Sequence, residues 1–397
     1  MMSVTRYGQL SAVTYRKDWA KKQRFDVARR LRAPRKKKLA LLLPAHNEEL
    51  IIQTTLRSAI NAGQAKEDIF VVDDGSKDLT RSEAIKMLGK RQVLSVEHSG
   101  KAGAVHKAIK HFNIEDRYSW IHIADSDSVF GPDYFKIYRK GLVGNQYVAA
   151  VGFVQSLRGN WICRYRAFSY TFGQHVIRRV QSWLGMISVM PGPITSYRTD
   201  IIKHLDFFTG SLTEDFDITL QIHRQKLGKI KYIPDAVNFT QDPQTIGDFW
   251  KQTLRWYRGF FQGVAKYKIG SKTQRIDVSI MYQLMETLLY ILQVWILLPI
   301  LLIATNNWKF VWAVFVGDMI VLGIIGVYSA AMALRPSILI SLPLFYILRN
   351  IELIAYVKTF FEVIVFKRFP DKGQIGWATT GRRYALSEKA LQDTTAA

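Results

Sequence analysis

Two long apolar runs restrict this chain more than any other feature. Residues 280–304 and 308–333 are nearly uncharged, and each exceeds the roughly 20 residues that cross a bilayer as a helix. One such run would also suit a buried helix of a large soluble protein. Two in tandem, joined only through Asn306 and its neighbours, make a membrane the better reading. A third stretch, 337–366, is interrupted by Pro343, Arg349, Glu352 and Lys358. It is expected to be a re-entrant or interfacial hairpin, or two short tilted helices, with Arg349 and Glu352 pairing three residues apart on one helical face.

Charge orients these runs. Residues 1–38 hold 13 Lys/Arg against two Asp/Glu, within a chain of net charge +23. Lys/Arg excess marks the cytoplasmic side. This arm and the tail carrying Lys367, Arg368, Lys372, Arg382 and Arg383 should therefore both lie inside, after an even number of crossings. The expectation is a multi-pass cell-membrane protein with its soluble part in the cytoplasm. The basic arm suits an anionic lipid surface. A nucleic-acid partner is not expected, because no zinc, helix-turn-helix or RNP pattern accompanies the charge. The single cysteine, Cys163, excludes an intrachain disulfide and a thiolate zinc cluster. The first 38 residues lack the apolar core of a secretory signal.

The middle of the chain alternates short apolar runs with helical segments, the pattern of βαβ units and a mostly parallel sheet. Strands are expected at 38–43, 68–72, 92–96 and 119–124, followed by the loops PAHNEE, DDGSKD, EHSGKAG and DSDS. Ligands of open α/β sheets bind at the carboxyl ends of strands. Asp73, Asp74, Lys101, Asp125 and Asp127 should thus converge on one crevice.

Each motif alone is ambiguous. Asp125-Ser126-Asp127 can offer oxygen ligands to a hard cation of the Mg²⁺ type, or be a turn with two solvated acids. Asp73-Asp74-Gly75-Ser76 can hydrogen-bond a base or ribose, yet these are ordinary turn residues, and Ser76 or Asp78 can cap the next helix. Lys101, between Gly100 and Gly103 at a helix start, suits a diphosphate, although the full P-loop spacing is missing. In Thr213-Glu214-Asp215, capping explains Thr213 and Glu214, because acids favour the helix N-terminus. Asp215 can take a proton from an attacking hydroxyl. Gln252, Arg255 and Trp256 of QTLRW share a helical face, which also suits an interfacial anchor.

In order and spacing, PAHNEE, DDGSKD, GKAGAVHKA, DSD, PGPITSYR, TED and QTLRW resemble the family 2 glycosyltransferases. The resemblance is to their membrane-embedded branch of cellulose, chitin, hyaluronan and poly-N-acetylglucosamine synthases, over about residues 39–262 and the apolar tail. It implies an α/β, Rossmann-like GT-A catalytic domain followed by interfacial and transmembrane helices. It implies nucleotide contacts from Ala45, Glu48, Asp73 and Asp74, with Lys101 near the diphosphate. Asp125 and Asp127 would hold Mg²⁺ or Mn²⁺, with Asp215 as base beside Glu214. Gln252, Arg255 and Trp256 would close over the diphosphate and acceptor. PGPITSYR, and GWATTGRR at 376–383, look closest to hexosamine-handling synthases.

The resemblance further implies an inverting enzyme that elongates a β-linked saccharide from a UDP-sugar. A non-processive transferase and a non-catalytic nucleotide-sugar-binding subunit are the alternatives. Many synthases of the branch carry membrane helices before the catalytic domain, where this sequence shows only the arm. Homo-oligomerisation, a partner subunit or a short product would each account for that. The expected divisions are a basic arm (1–38), a GT-A domain (39–245), an amphipathic segment with QTLRW (246–275), membrane helices (280–366) and a basic tail (367–397).

Overall fold

The computed structural model describes residues 38–271 and 274–368. The basic arm up to residue 37, Lys372, Arg382, Arg383 and the 376–383 segment lie outside the described residues. The strands are β1 (Leu39–Ala45), β2 (Ile69–Asp74), β3 (Val93–Val96), β4 (Trp120–Ile123), β5 (Val129–Phe130), β6 (Tyr147–Ser156), β7 (Thr195–Arg198) and β8 (Lys229–Thr240). They form one eight-stranded sheet in the order β3-β2-β1-β4-β7-β6-β8-β5. The first four coincide with the strands expected from the apolar runs. The pairs β1–β2, β1–β4, β2–β3 and β6–β8 are parallel. Leu39 to Ala45 are buried throughout, as in a strand covered on both faces by crossover helices.

The helices that matter for the site are α1 (Ile52–Asn61), α2 (Thr80–Leu88), α3 (Gly100–His111), α4 (Trp161–Phe172), α5 (Glu214–Arg224), α6 (Ile246–Lys266), α7 (Arg275–Thr305), α8 (Trp308–Met332) and α9 (Ser337–Val365). One reversal inside the sheet positions the site. β7 runs antiparallel to β4, with Ile123 opposite Thr195 and Trp120 opposite Arg198. The residues just before β7, Pro191 to Ile194, are thereby carried to the carboxyl end of β4, beside the DSD loop. Ser128 Oγ donates to the Pro193 carbonyl there at 3.5 Å.

Three helices, α7, α8 and α9, are long and apolar enough to cross a membrane. Ile303 is 83% exposed and Ile324 65%. Apolar surface of that extent demands an apolar surrounding, since its exposure to water costs about 25 cal/mol per Å².

The third helix differs from the expectation for its sequence. Residues 337–365 are neither a hairpin nor two short helices but one continuous helix, with Pro343 inside it. Proline removes one backbone hydrogen bond, and packing on both sides of it keeps the helix intact. In its most apolar stretch 39% is buried, against 6% for α7 and 11% for α8. Near its start, Arg164 Nη1 of α4 donates to Ser341 Oγ at 3.1 Å. Near its end, Arg258 Nε of α6 donates to Glu362 Oε2 at 2.9 Å. Nor do Arg349 and Glu352 pair as expected. Arg349 meets Asp318 of α8 at 3.4 Å and stacks on Tyr290, whereas Glu352 turns to α4.

Candidate active site

Two acids at the end of β2 build the first wall. Asp73 accepts from Ser76 N (3.0 Å) and Ser95 Oγ (2.8 Å), and lies opposite Ala45 in register. Asp74 accepts from Ser99 N (2.8 Å), Gly100 N (2.9 Å) and the His98 ring (3.0 Å). Its carboxylate therefore holds the first turn of α3 against β2. Gly100 has φ +77°, a conformation that side chains disfavour. That turn delivers Lys101 to the crevice. Glu48 is buried, and its backbone carbonyl accepts from Ile51 N and Ile52 N at the start of α1. Neither expected cap holds the N-cap position of α2, which is Leu79: Asp78 precedes it and accepts from Thr80 N at 2.9 Å, and Ser76 Oγ accepts from Asn47 N.

Lys101 then bridges elements distant in sequence. Its Nζ lies 2.5 Å from Asp125 Oδ1, past the end of β4, and 3.8 Å from Glu214 Oε1 at the start of α5. Burial opposes its charge, but Asp125, Glu214 and Asp215 together outweigh burial and hold its pKa above the ordinary lysine value. Asp215 accepts from Phe216 N (2.8 Å) and Gly192 N (3.1 Å). A Cβ on Gly192 would stand 3.1 Å from Lys101 Nζ and 3.8 Å from Asp215 Oδ2, so the lysine and the acid flank the same point. Lys101, Gly192, Thr195, Glu214 and Asp215 line one small cavity of about 30 Å³. Burial and then the Glu214 carboxylate push the Asp215 pKa up, partly offset by its two N–H donors and Lys101. Asp127 is buried in the same loop as Asp125.

The QTLRW helix closes on this wall. A Cβ at Gly259 would lie 2.1 Å from Thr213 Oγ1, so only glycine lets α6 lie this close to the start of α5. Thr213 stands at the N-cap position, but its side chain makes no capping bond; it serves as this contact surface. Arg255, one turn before Gly259, has a buried Nε with no hydrogen-bond partner among the described residues, as suits a group awaiting an anion. Gln252 and Trp256 face Arg166 of α4. Its Nη2 donates to Gln252 Oε1 at 2.9 Å, and its guanidinium lies 4.5 Å from the Trp256 ring and 4.3 Å from that of Phe249. On its other side, Arg166 Nη1 donates to Glu352 Oε1 of α9 at 3.1 Å, and Tyr165 OH donates to Glu352 Oε2 at 2.6 Å. Arg166 carries no motif signal, and this relay between α9 and QTLRW is invisible in the sequence.

Asp125 and Asp127, on one loop, carry hard oxygens of the kind that hold Mg²⁺, and Asp125 Oδ1 lies 2.5 Å from Lys101 Nζ. His46, Asp74 and His98 place their ligand atoms within 4.8 Å of one another. This second group is already knitted together, since both imidazole Nδ1 atoms bond to Asp74.

The mostly parallel eight-stranded sheet is a GT-A-like glycosyltransferase fold, with Lys101, Asp125 and Asp215 at its strand-end crevice. Residues 120–348, more than half of the sequence, match the family described as glycosyl transferase family group 2, and the chain belongs to that family. It is 25% identical over 276 residues to the poly-beta-1,6-N-acetyl-D-glucosamine synthase of Staphylococcus epidermidis, covering 68% of this chain and 66% of the relative. It is 25% identical over 269 residues to the synthase of the same name from Staphylococcus aureus (strain COL), covering 66% and 63%. The chain thus spans just under two thirds of the length of these relatives. Among solved structures, a mannosyltransferase from Pyrobaculum calidifontis in complex with GDP-Man and Mn²⁺ superposes with a TM-score of 0.54 at 15% identity, over 82% of this chain and 87% of that one. At that identity it shares the fold.

Proposed function

We propose that this glycosyltransferase elongates a β-linked saccharide by inverting transfer from a UDP-hexosamine at the cytoplasmic face of the membrane. The catalytic domain in this reading is residues 39–245. The observation that carries the proposal is the meeting of Lys101, Asp125 and Asp215 at one point from three separate elements. The donor class rests on the relatives, which are named for an N-acetylglucosamine polymer.

In the proposed reaction, the acceptor hydroxyl attacks the anomeric carbon. A bond forms between its oxygen and that carbon, and the bond to the diphosphate oxygen breaks. The electron pair leaves with the diphosphate, and the hydroxyl proton passes to Asp215. Lys101 and Arg255 neutralise the leaving charge, in a site whose low dielectric strengthens both contacts. Asp125 and Asp127 would hold Mg²⁺ or Mn²⁺, which would supply Lewis-acid charge for the diphosphate. Trp256, held against Arg166, offers an apolar face to a sugar ring. The raised Asp215 pKa suits a base that must accept a proton near neutral pH. One base suffices for a single displacement with inversion.

The membrane arrangement belongs to the same proposal. α7 and α8 cross as a hairpin, and α9, tied near both ends to α4 and α6, lies at the cytoplasmic interface.

The test is Asp215→Asn in full-length protein. Transfer from radiolabelled UDP-N-acetylglucosamine should be abolished while UDP-sugar affinity stays within about twofold, since the amide keeps the shape and one of the two acceptor oxygens but cannot take the proton. Equal loss of both would make Asp215 structural. A panel of other UDP-sugars and GDP-mannose, with product sizing, separates the hexosamine reading from other donors and elongation from single addition.

A further inference from the structure

A second cavity, of about 180 Å³, opens where the α8–α9 loop meets the loop after β6, and Arg158, Arg164, Arg335, Cys163 and Ser337 line it. Three of the lining residues are arginines, with Arg158 close enough to Arg335 to act on its charge, and among the described residues none of the three pairs with a carboxylate within 4.0 Å. Arg335 is only 6% exposed. Its Nη1 donates to the Ser156 carbonyl at the end of β6 at 2.6 Å, but its Nε has no hydrogen-bond partner among the described residues. Arg164 spends one nitrogen on Ser341 Oγ, and Arg158 is exposed. Asp242 acts on Arg335 only through space, its Oδ1 accepting from Tyr170 at 2.9 Å.

Burial and the neighbouring Arg158 pull the Arg335 pKa down to about 10. The guanidinium is thus charged, buried and short of a counter-charge, an arrangement that is unfavourable unless an anion completes it. The place narrows the choice of anion. The loop joins two helices of membrane-spanning length, so the cavity lies where the chain leaves the apolar phase. The commonest anion at that level is phosphate. Guanidiniums bind it in forked pairs, and the space is several times the roughly 30 Å³ that one water occupies.

We infer that Arg158, Arg164 and Arg335 form a binding site for a phosphate group at the membrane edge of the catalytic domain, apart from the Lys101 crevice. The phosphate is that of a lipid headgroup or a free phosphate. Either would clamp the α8–α9 loop to the end of β6.

The test follows thermal unfolding of the detergent-purified full chain at constant ionic strength. Inorganic phosphate, short-chain phosphatidic acid and short-chain phosphatidylcholine are titrated separately. The expected result is a saturable rise in unfolding temperature with phosphatidic acid. Its half-saturation should weaken by about tenfold or more in Arg158→Gln, the loss of one charge-assisted hydrogen bond, and stay unchanged in Lys101→Ala. A response to phosphatidic acid alone assigns a lipid headgroup, and an equal response to inorganic phosphate assigns the free ion. No saturable response, one that Arg158→Gln leaves intact, or one that Lys101→Ala removes overturns the site. Arg335→Gln should abolish the response. Should that buried change prevent folding, Arg158→Gln on an exposed side chain decides by itself.

Discussion

Asp215 carries two conflicting demands. As the proposed base it must ionise, yet burial and Glu214 raise its pKa. The acid limb of kcat/KM should therefore be shifted upward from the ordinary aspartate value, because the proposed transfer needs the ionised form. Glu214→Gln removes a negative charge that opposes this ionisation, so the midpoint should move to lower pH. A pH–rate profile that stays fixed, or moves upward, would detach the limb from Asp215. Stability runs with the opposite sign. A carboxyl whose folded pKa is raised contributes most below its unfolded pKa, and that contribution is lost as pH rises through the raised value. Asp215→Asn should accordingly transfer nothing, and its unfolding temperature should vary less with pH between the ordinary aspartate pKa and the raised value. Lys101 was recognisable from its position between two glycines. Its partners were not: Asp125 and Glu214 lie 24 and 113 residues further along the chain.

Two contacts between elements set the geometry of the QTLRW helix. The first is the close approach of Gly259 to Thr213. Gly259→Ala must push α6 away from a β-branched, buried side chain. Such overpacking typically costs about 1–3 kcal/mol. A lower unfolding temperature should come with a larger loss of transfer than of donor affinity, because Arg255 moves with the helix. Equal losses, or neither, would show that α6 tolerates the shift. The second contact is Arg166, which joins Gln252 and Trp256 to Glu352 of α9. Arg166→Lys keeps the charge but loses the planar fork and its stack between Phe249 and Trp256. Acceptor KM should rise by about tenfold, with donor affinity little changed. A purely structural arginine would instead lower stability and both affinities together. The four strands expected from apolar runs appear where they were expected, because their burial is dictated by local composition. β7 and its reversal were not legible, since TSYR has no apolar period and forms a strand only by pairing with β4 and β6.

At the scale of the molecule, the question is how many helices cross. All three are long and apolar enough, but α9 is held near both ends by α4 and α6. With α7 and α8 crossing alone, residues after α9 return to the catalytic side, as the basic tail requires. A Lys372→Cys variant in a Cys163→Ser background should react with an impermeant maleimide only from the cytoplasmic side of sealed vesicles. Labelling from the outside would make α9 a third crossing. The order of the loops around the crevice, the parallel half of the sheet and the tandem apolar runs were legible from the residues alone, because each depends on neighbours along the chain. The tertiary structure alone decided that 337–365 is one helix docked on the catalytic domain, that Arg166 links it to QTLRW, and that three arginines share a cavity. Those contacts join residues 86 to 187 apart, and no local pattern of charge or hydropathy records which distant side chain will supply the partner for a buried one.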